Sequence, residues 1–228
     1  MTLRDRIDQV EARIQSAAKT AGRKRDEITL IAVTKKFPAS VMREAYDLGL
    51  RVFGENYVQE FADKHPTLTD LSGAEFHLIG HLQSNKTRVA SELFSVIQTV
   101  DSAKLARRLN EPRPSGSGQT NQALQVMIEV KLSEEDSKAG AAPEDLPALI
   151  DAILACEHLR LTGLMTMPPW SADPAETRPY FRKLAALARQ HNLSKLSMGM
   201  SHDLEAAIEE GATHIRVGTA LFGSRPKP

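Results

Sequence analysis

The chain has a single cysteine, Cys156, in 228 residues, which excludes an internal disulfide framework and fits a reducing compartment. Cys156 falls in a helical run, Leu146 to Glu157, and reads as a small buried hydrophobe rather than a nucleophile. There is no excess of either charge: 29 Lys and Arg balance 29 Asp and Glu, so neither nucleic acid nor an anionic membrane is implied as the bulk partner. No apolar run is long enough to span a bilayer. The mixed charges of Met1-Thr-Leu-Arg-Asp-Arg-Ile7 do not read as a secretory signal, so the expected location is cytoplasmic. No histidines or acids fall at metal-ligand spacing, and no Gly-x-Ser-x-Gly or Walker-type run occurs.

What the chain does have is a 41% hydrophobic composition, enough for one large core, and a lysine in an unusual place. Ile28-Thr-Leu-Ile-Ala-Val33 reads as a strand buried on both faces, and Lys35 stands at its carboxyl end. Pro38 then breaks the strand, and Ala39 to Leu48 has helical spacing with Ser40 as the expected cap. A lysine at such a strand-to-helix switch sits where α/β folds place ligands. If partly desolvated, it is a nucleophile toward carbonyls. On this segment alone, a strand-end lysine snorkelling to solvent is the better explanation.

The rest of the chain alternates. An amphipathic helix, Leu3 to Ala21, precedes the first strand. Further strands are predicted at Arg51–Gly54, Glu75–Ile79, Phe94–Val100, Ala123–Val130, Leu159–Gly163, Lys195–Met198 and His214–Val217. Helices are predicted between them. Eight strand–helix units imply an all-parallel sheet and, in about this length, closure into a (β/α)8 TIM barrel. An open doubly wound sheet usually carries a Gly-rich first turn, and none follows the first strand. Pro112 to Thr120 reads as a surface loop, so residues 1–228 are expected to form one α/β barrel domain with an extra N-terminal helix.

The working face of such a barrel is built from the loops after its strands. The loops after strands seven and eight commonly hold a phosphate. Here they offer the Ser201 hydroxyl and the Gly218-Thr219 turn. As bland alternatives, Ser201 could be a helix cap and Gly218-Thr219 a tight turn. Arg216, on the last strand, either faces outward or enters the barrel, where it needs a partner because it cannot lose its proton. His77 and His214 are expected to pack within strands. Met165, Met167, Met198 and Met200 read as packing at the barrel top. A Schiff-base lysine with a phosphate cradle on the opposite side of the mouth suits pyridoxal 5′-phosphate.

Longer motifs carry a resemblance. Ala32-Val-Thr-Lys35, Phe53-Gly-Glu-Asn-Tyr-Val-Gln-Glu60, His77-Leu-Ile-Gly-His-Leu-Gln-Ser-Asn-Lys86, Gly163-Leu-Met-Thr-Met167, Leu196-Ser-Met-Gly-Met-Ser201 and Arg216-Val-Gly-Thr-Ala-Leu-Phe-Gly223 closely resemble the pyridoxal phosphate homeostasis protein family. That family is similar to the barrel domain of alanine racemase, a fold-type III pyridoxal phosphate protein. The resemblance implies that Lys35 is the cofactor lysine and that Ser201, Gly218 and Thr219 are phosphate ligands. It also implies that Arg216 faces the pyridine nitrogen, with Asn56 and His81 near the ring. Many members continue with Thr-Lys-Pro after the cofactor lysine, where this chain has Lys36-Phe37-Pro38. Strand alternation and the motif both favour Lys35 over Lys36.

Three readings compete. An amino-acid racemase needs an acid/base on each face of the substrate α-carbon. In alanine racemase-like enzymes the second base is a tyrosine from a separate β-domain, for which no sequence is left here. The tyrosines Tyr46, Tyr57 and Tyr180 fall in helical segments or at their starts. An arginine at the ring nitrogen also weakens the electron sink. A barrel enzyme that forms a Schiff base without pyridoxal phosphate would be colourless. The resemblance favours the third reading, a non-catalytic protein that holds pyridoxal phosphate as a reversible lysine Schiff base, with PLP-dependent apoenzymes as recipients. Without the β-domain, a monomer is expected. Lys138, in a charged loop, reads as solvated, although it could relay the aldehyde at the rim.

Overall fold

The computed structural model describes residues 1–111, 123–133 and 139–224. The Pro112 to Thr120 loop and Lys138 lie outside them. Eight parallel strands close into a barrel in sequential order: β1 (Thr29–Val33), β2 (Val52–Glu55), β3 (Glu75–Leu78), β4 (Val96–Val100), β5 (Leu124–Glu129), β6 (Leu159–Met165), β7 (Lys195–Ser197) and β8 (His214–Val217). The helices between them are α2 (Ala39–Asp47), α3 (Val58–Lys64), α4 (Thr87–Leu93), α5 (Ala103–Leu109), α6 (Leu146–Leu154), α7 (Arg178–Gln190) and α8 (Leu204–Glu209). They follow α1 (Leu3–Thr20), and a short α9 (Thr219–Phe222) comes after β8. The predicted (β/α)8 barrel with an extra N-terminal helix is therefore the observed fold.

α1 starts at a reciprocal cap, in which the Asp5 amide donates to Thr2 Oγ1 and the Thr2 amide to Asp5 Oδ2. Ile7, Val10, Ile14, Ala17 and Ala18 form its buried stripe. Arg13 ties its outer face to Glu205 of α8 through two bonds of 2.6 and 2.8 Å. α2 differs from expectation. Its cap position is Pro38, with no side-chain cap, and Ser40 lies inside the first turn.

Strand alternation divides the interior into two layers. Leu30, Ala32, Phe53, Leu78, Ile97, Val126, Ile128, Leu164 and Ile215 belong to the core between strands and helices. Ile31, Val33, Ile79, Val96, Met127 and Met165 are buried but lie outside that cluster, which places them in the barrel lumen. Gly54 faces the same lumen, since a Cβ there would meet Ile31 Cγ2 and Ile79 Cδ1. The lumen also encloses polar groups: His77, Gln98, Ser197, His214, Arg216 and Glu129 are all buried.

Gly163 marks a tight point in the barrel. The register between β5 and β6 shifts between Val126 and Met127, and a Cβ on Gly163 would lie 2.0 Å from the Lys195 carbonyl oxygen. Backbone cannot yield as a flexible side chain would, so only glycine allows β6 and β7 to pair here. Gly163→Ala is expected to lower stability by about 3 kcal/mol, measured as a shift of the urea midpoint.

Candidate functional site

The closing strand pair determines what stands beside Lys35. β1 pairs with β8 through Thr29↔His214, Leu30↔Ile215, Ile31↔Arg216 and Ala32↔Val217. The loop after β8 therefore abuts the end of β1, and a Cβ on Gly218 would lie 3.5 Å from Val33. The cradle expected on the opposite side of the mouth is thus Lys35's neighbour, because barrel closure joins the two ends of the strand sequence. Lys35, Asn56, Ser201, Arg216, Gly218 and Thr219 line one cleft of about 290 Å³, with Met167, Trp170, Met200 and His202 also in its wall.

Lys36 points elsewhere. Its φ is +66°, its side chain is exposed, and its amide donates to Glu60 Oε1 at 2.6 Å. The turn that separates the two lysines is clamped from below by Lys64. Its Nζ donates to the Thr34 carbonyl at 3.1 Å, Glu55 Oε1 at 3.0 Å and Glu60 Oε1 at 2.6 Å. Thr34 Oγ1 also donates to Glu55 Oε1, at 2.8 Å. Burial raises the Glu55 carboxyl above its usual range, against the pull of Lys64.

Ser201 is not a helix cap. Asp203 occupies the position before α8 and accepts the Met200 amide at Oδ1. Ser201 Oγ instead receives the Ala220 amide at 3.2 Å and the Thr219 hydroxyl at 3.3 Å. The two predicted hydroxyls thus come together with Gly218 at one end of the cleft.

Arg216 enters the barrel and is 3% exposed. Its Nη1 donates to Ser197 Oγ at 2.8 Å and its Nη2 to the Thr166 carbonyl at 2.9 Å. Burial pulls its pKa down to about 10, opposed by Glu129 and Asp203, so it stays charged at neutral pH. Burial pushes Glu129 up to about 7, against the attraction of Arg216. His77 and His214 pack within the lumen as predicted. Burial lowers both, His214 to about 3, and holds them neutral.

His81 lies outside this cleft. It lines an adjoining chamber of about 580 Å³ with Glu129, Lys131 and Ser133, and its Nδ1 is 3.9 Å from Asp101 Oδ2. Met167, Trp170 and Met200 separate the two spaces and line both, whereas Met165 and Met198 are buried packing. Cys156 is buried, with its Sγ 3.2 Å from the Ala152 carbonyl. None of the three tyrosines lines the Lys35 cleft. Tyr46 donates to the Ser72 carbonyl, and Tyr57 is half exposed. The sequence reading missed Lys64, Gln98, Ser197, Glu129 and His202. A signal existed for Gln98, the one amide in β4 among Val96, Ile97, Thr99 and Val100, and for Lys64, four residues after Glu60 on α3.

Comparison with known proteins follows the same lines. The alanine racemase N-terminal domain family matches residues 6–226. The pyridoxal phosphate homeostasis protein of Pseudomonas aeruginosa is 49% identical over 98% of this chain and 96% of its own. That of Escherichia coli K12 is 42% identical over 96% and 95%. PipY of Synechococcus elongatus, solved both without and with PLP bound, is 39% identical and covers 97% of this chain and 100% of its own, with TM-scores of 0.83 and 0.80. Alanine racemase from Corynebacterium glutamicum shares the fold alone, at 19% identity and a TM-score of 0.66 over 96% of this chain and 62% of its own. The chain belongs to the pyridoxal phosphate homeostasis protein family, built on the alanine racemase N-terminal barrel.

Proposed function

We propose that this chain binds pyridoxal 5′-phosphate in the Lys35 cleft and serves its intracellular homeostasis, holding and releasing the cofactor without a committed reaction. The observation that carries this reading is the convergence of Lys35, the Ser201–Gly218–Thr219 cradle and Arg216 on one cleft. The cleft also fits a polar guest: Asn56 Oδ1 and His202 Nε2 are buried there without a hydrogen-bond partner, a state that a bound ligand or water relieves. The names of the relatives, and the PLP-bound form of PipY, point to the same guest.

When bound, the cofactor supplies an aldehyde that condenses reversibly with a lysine amine. The Lys64 clamp fixes the turn on which Lys35 sits. Ser201, Gly218 and Thr219 would hold the phosphate through hydroxyls and close backbone approach. Arg216, a donor that keeps its charge, would face the ring nitrogen and so weaken the electron sink that amino-acid chemistry needs. Asn56 would border the ring, with His81 adjacent in the neighbouring chamber. PLP-dependent apoenzymes are the recipients in this reading.

Borohydride reduction of the reconstituted chain, followed by peptide mapping, is expected to place the adduct on Lys35. An adduct on Lys36, or no uptake, would overturn the site. Chiral analysis after incubation with alanine is expected to show no racemisation, and sustained turnover would restore an enzymatic role.

A further inference from the structure

Beneath the cleft, a line of hydrogen bonds crosses the lumen from the mouth to the opposite end of the barrel. Arg216 Nη1 donates to Ser197 Oγ at 2.8 Å, and Ser197 Oγ donates to Gln98 Oε1 at 2.6 Å. Gln98 Nε2 meets His77 Nδ1 at 2.9 Å, and His77 Nε2 meets Glu75 Oε2 at 3.4 Å. Arg216, Ser197, Gln98 and His77 are each no more than 3% exposed.

The two ends fix the direction of every link. A guanidinium has donors only, so Ser197 must accept from it and has one proton left to give. That proton goes to the Gln98 carbonyl, which turns the amide NH2 toward His77. His77 Nδ1 is then the acceptor, and its ring proton sits on Nε2, facing a carboxylate that can only accept. Burial keeps His77 neutral. No reversed arrangement satisfies both ends, so the amide and the imidazole tautomer are locked. A second anchor, the Thr166 carbonyl, fixes the guanidinium from β6.

The composition of the line is as informative as its direction. Both groups that accept a hydrogen bond from Arg216, the Ser197 hydroxyl and the Thr166 carbonyl, are neutral. Glu129 and the buried Asp203 act on it only through space, and neither forms an ion pair with it among the described residues. The other titratable groups around the line are His214, whose ring is 6.3 Å from that of His77, and Lys195, whose Nζ donates to Gln125. A carboxylate in place of the Gln98 amide would hold the same bond to Ser197 while neutralising the field of Arg216.

We propose that Ser197, Gln98 and His77 are positioning residues that hold the charged Arg216 in one orientation facing the cleft, and so keep the ring nitrogen of the bound cofactor unprotonated. This rests on the reading that pyridoxal phosphate occupies the Lys35 cleft. It assigns a role to residues that never touch the cofactor.

The test uses the full chain reconstituted with pyridoxal phosphate carrying 15N in the ring, with the nitrogen shift followed from pH 6 to 8. The wild type is expected to show an unprotonated ring nitrogen throughout. Gln98→Glu is expected to move the signal toward the protonated form, and Gln98→Leu to weaken uptake about tenfold by freeing Ser197 and Arg216. Ser197→Ala, a smaller change, is expected to weaken uptake similarly, which keeps the test decisive if Gln98→Glu does not fold. Ser201→Ala is the control, expected to weaken uptake without moving the nitrogen signal. Normal uptake with a nitrogen shift indifferent to Gln98→Glu, or with Ser197→Ala binding as the wild type does, overturns the positioning role alone. Failure of the wild type to take up the cofactor overturns the binding reading and the relay with it.

Discussion

Lys64→Met is expected to destabilise the chain by about 3–5 kcal/mol, because it breaks a buried ion pair by removing one partner. Lys64 is one-tenth exposed and Glu55 fully buried. Without the ammonium, Glu55 retains only the Thr34 hydroxyl, and its Oε2 already has no partner. The carboxyl must then take up a proton or remain as an unpaired buried charge. At about 2–4 °C per kcal/mol for a chain of this size, the melting temperature should fall by roughly 10 °C. Adding Glu55→Gln to Lys64→Met removes the stranded charge and is expected to restore more than half of the loss. If the double variant is no more stable than the single one, Glu55 is not the source of the cost.

The same substitution also bears on the site. Lys64 holds the Thr34 carbonyl and, through Glu60, the Lys36 amide, so it fixes both sides of Lys35. Loosening that turn lets the exposed Lys36 compete, and borohydride mapping of Lys64→Met should show adduct on both lysines.

The sequence showed the barrel clearly because each strand is an apolar run and each helix an amphipathic one, and the residue types at the mouth are unusual enough to stand out. Lys35, Ser201 and Arg216 were all legible for that reason. The lumen was not. Gln98, Ser197 and His77 lie on three different strands, far apart in sequence, and only the closed barrel brings them into line. Lys64 was hidden differently: on α3 it looks like one more solvated charge paired at i,i+4, and nothing local reveals that it reaches beneath β1. The relation between Lys35 and the cradle was misjudged for a topological reason, since first and last strands are distant in sequence but adjacent once the sheet closes. Ser40 and Ser201 both look like caps by spacing, yet neither is one. Pro38 takes the first cap position, and Asp203 frees the second serine to meet Thr219.

Stability of the chain without cofactor is expected to respond to pH in two opposed ways, because the lumen buries groups with opposite proton preferences. His214 titrates near 3 in the fold against 6.5 in an exposed chain, so the folded state refuses a proton that the unfolded state accepts. Its contribution is complete only about one unit above pH 6.5 and is lost progressively as pH falls toward 3, up to about 4–5 kcal/mol. His77 is lowered by burial as well and acts in the same direction. Glu129 does the reverse. Its folded value of about 7 against 4.5 means that the fold keeps a proton the unfolded chain has released, so stability declines by about 3 kcal/mol as pH rises from 4.5 through 7. Between pH 4.5 and 6.5 the two trends oppose, so the Glu129 loss offsets part of the histidine gain. From 6.5 to 8 the unfolded histidines give up the last of their protons while Glu129 completes its ionisation, so the two trends still oppose. Urea midpoints at pH 5, 6.5 and 8 should therefore rise more steeply in Glu129→Gln than in the wild type, because the opposing carboxyl is gone. Parallel pH profiles in the two proteins would show that Glu129 is ionised at little cost, and that Arg216 compensates it more strongly than its burial opposes it.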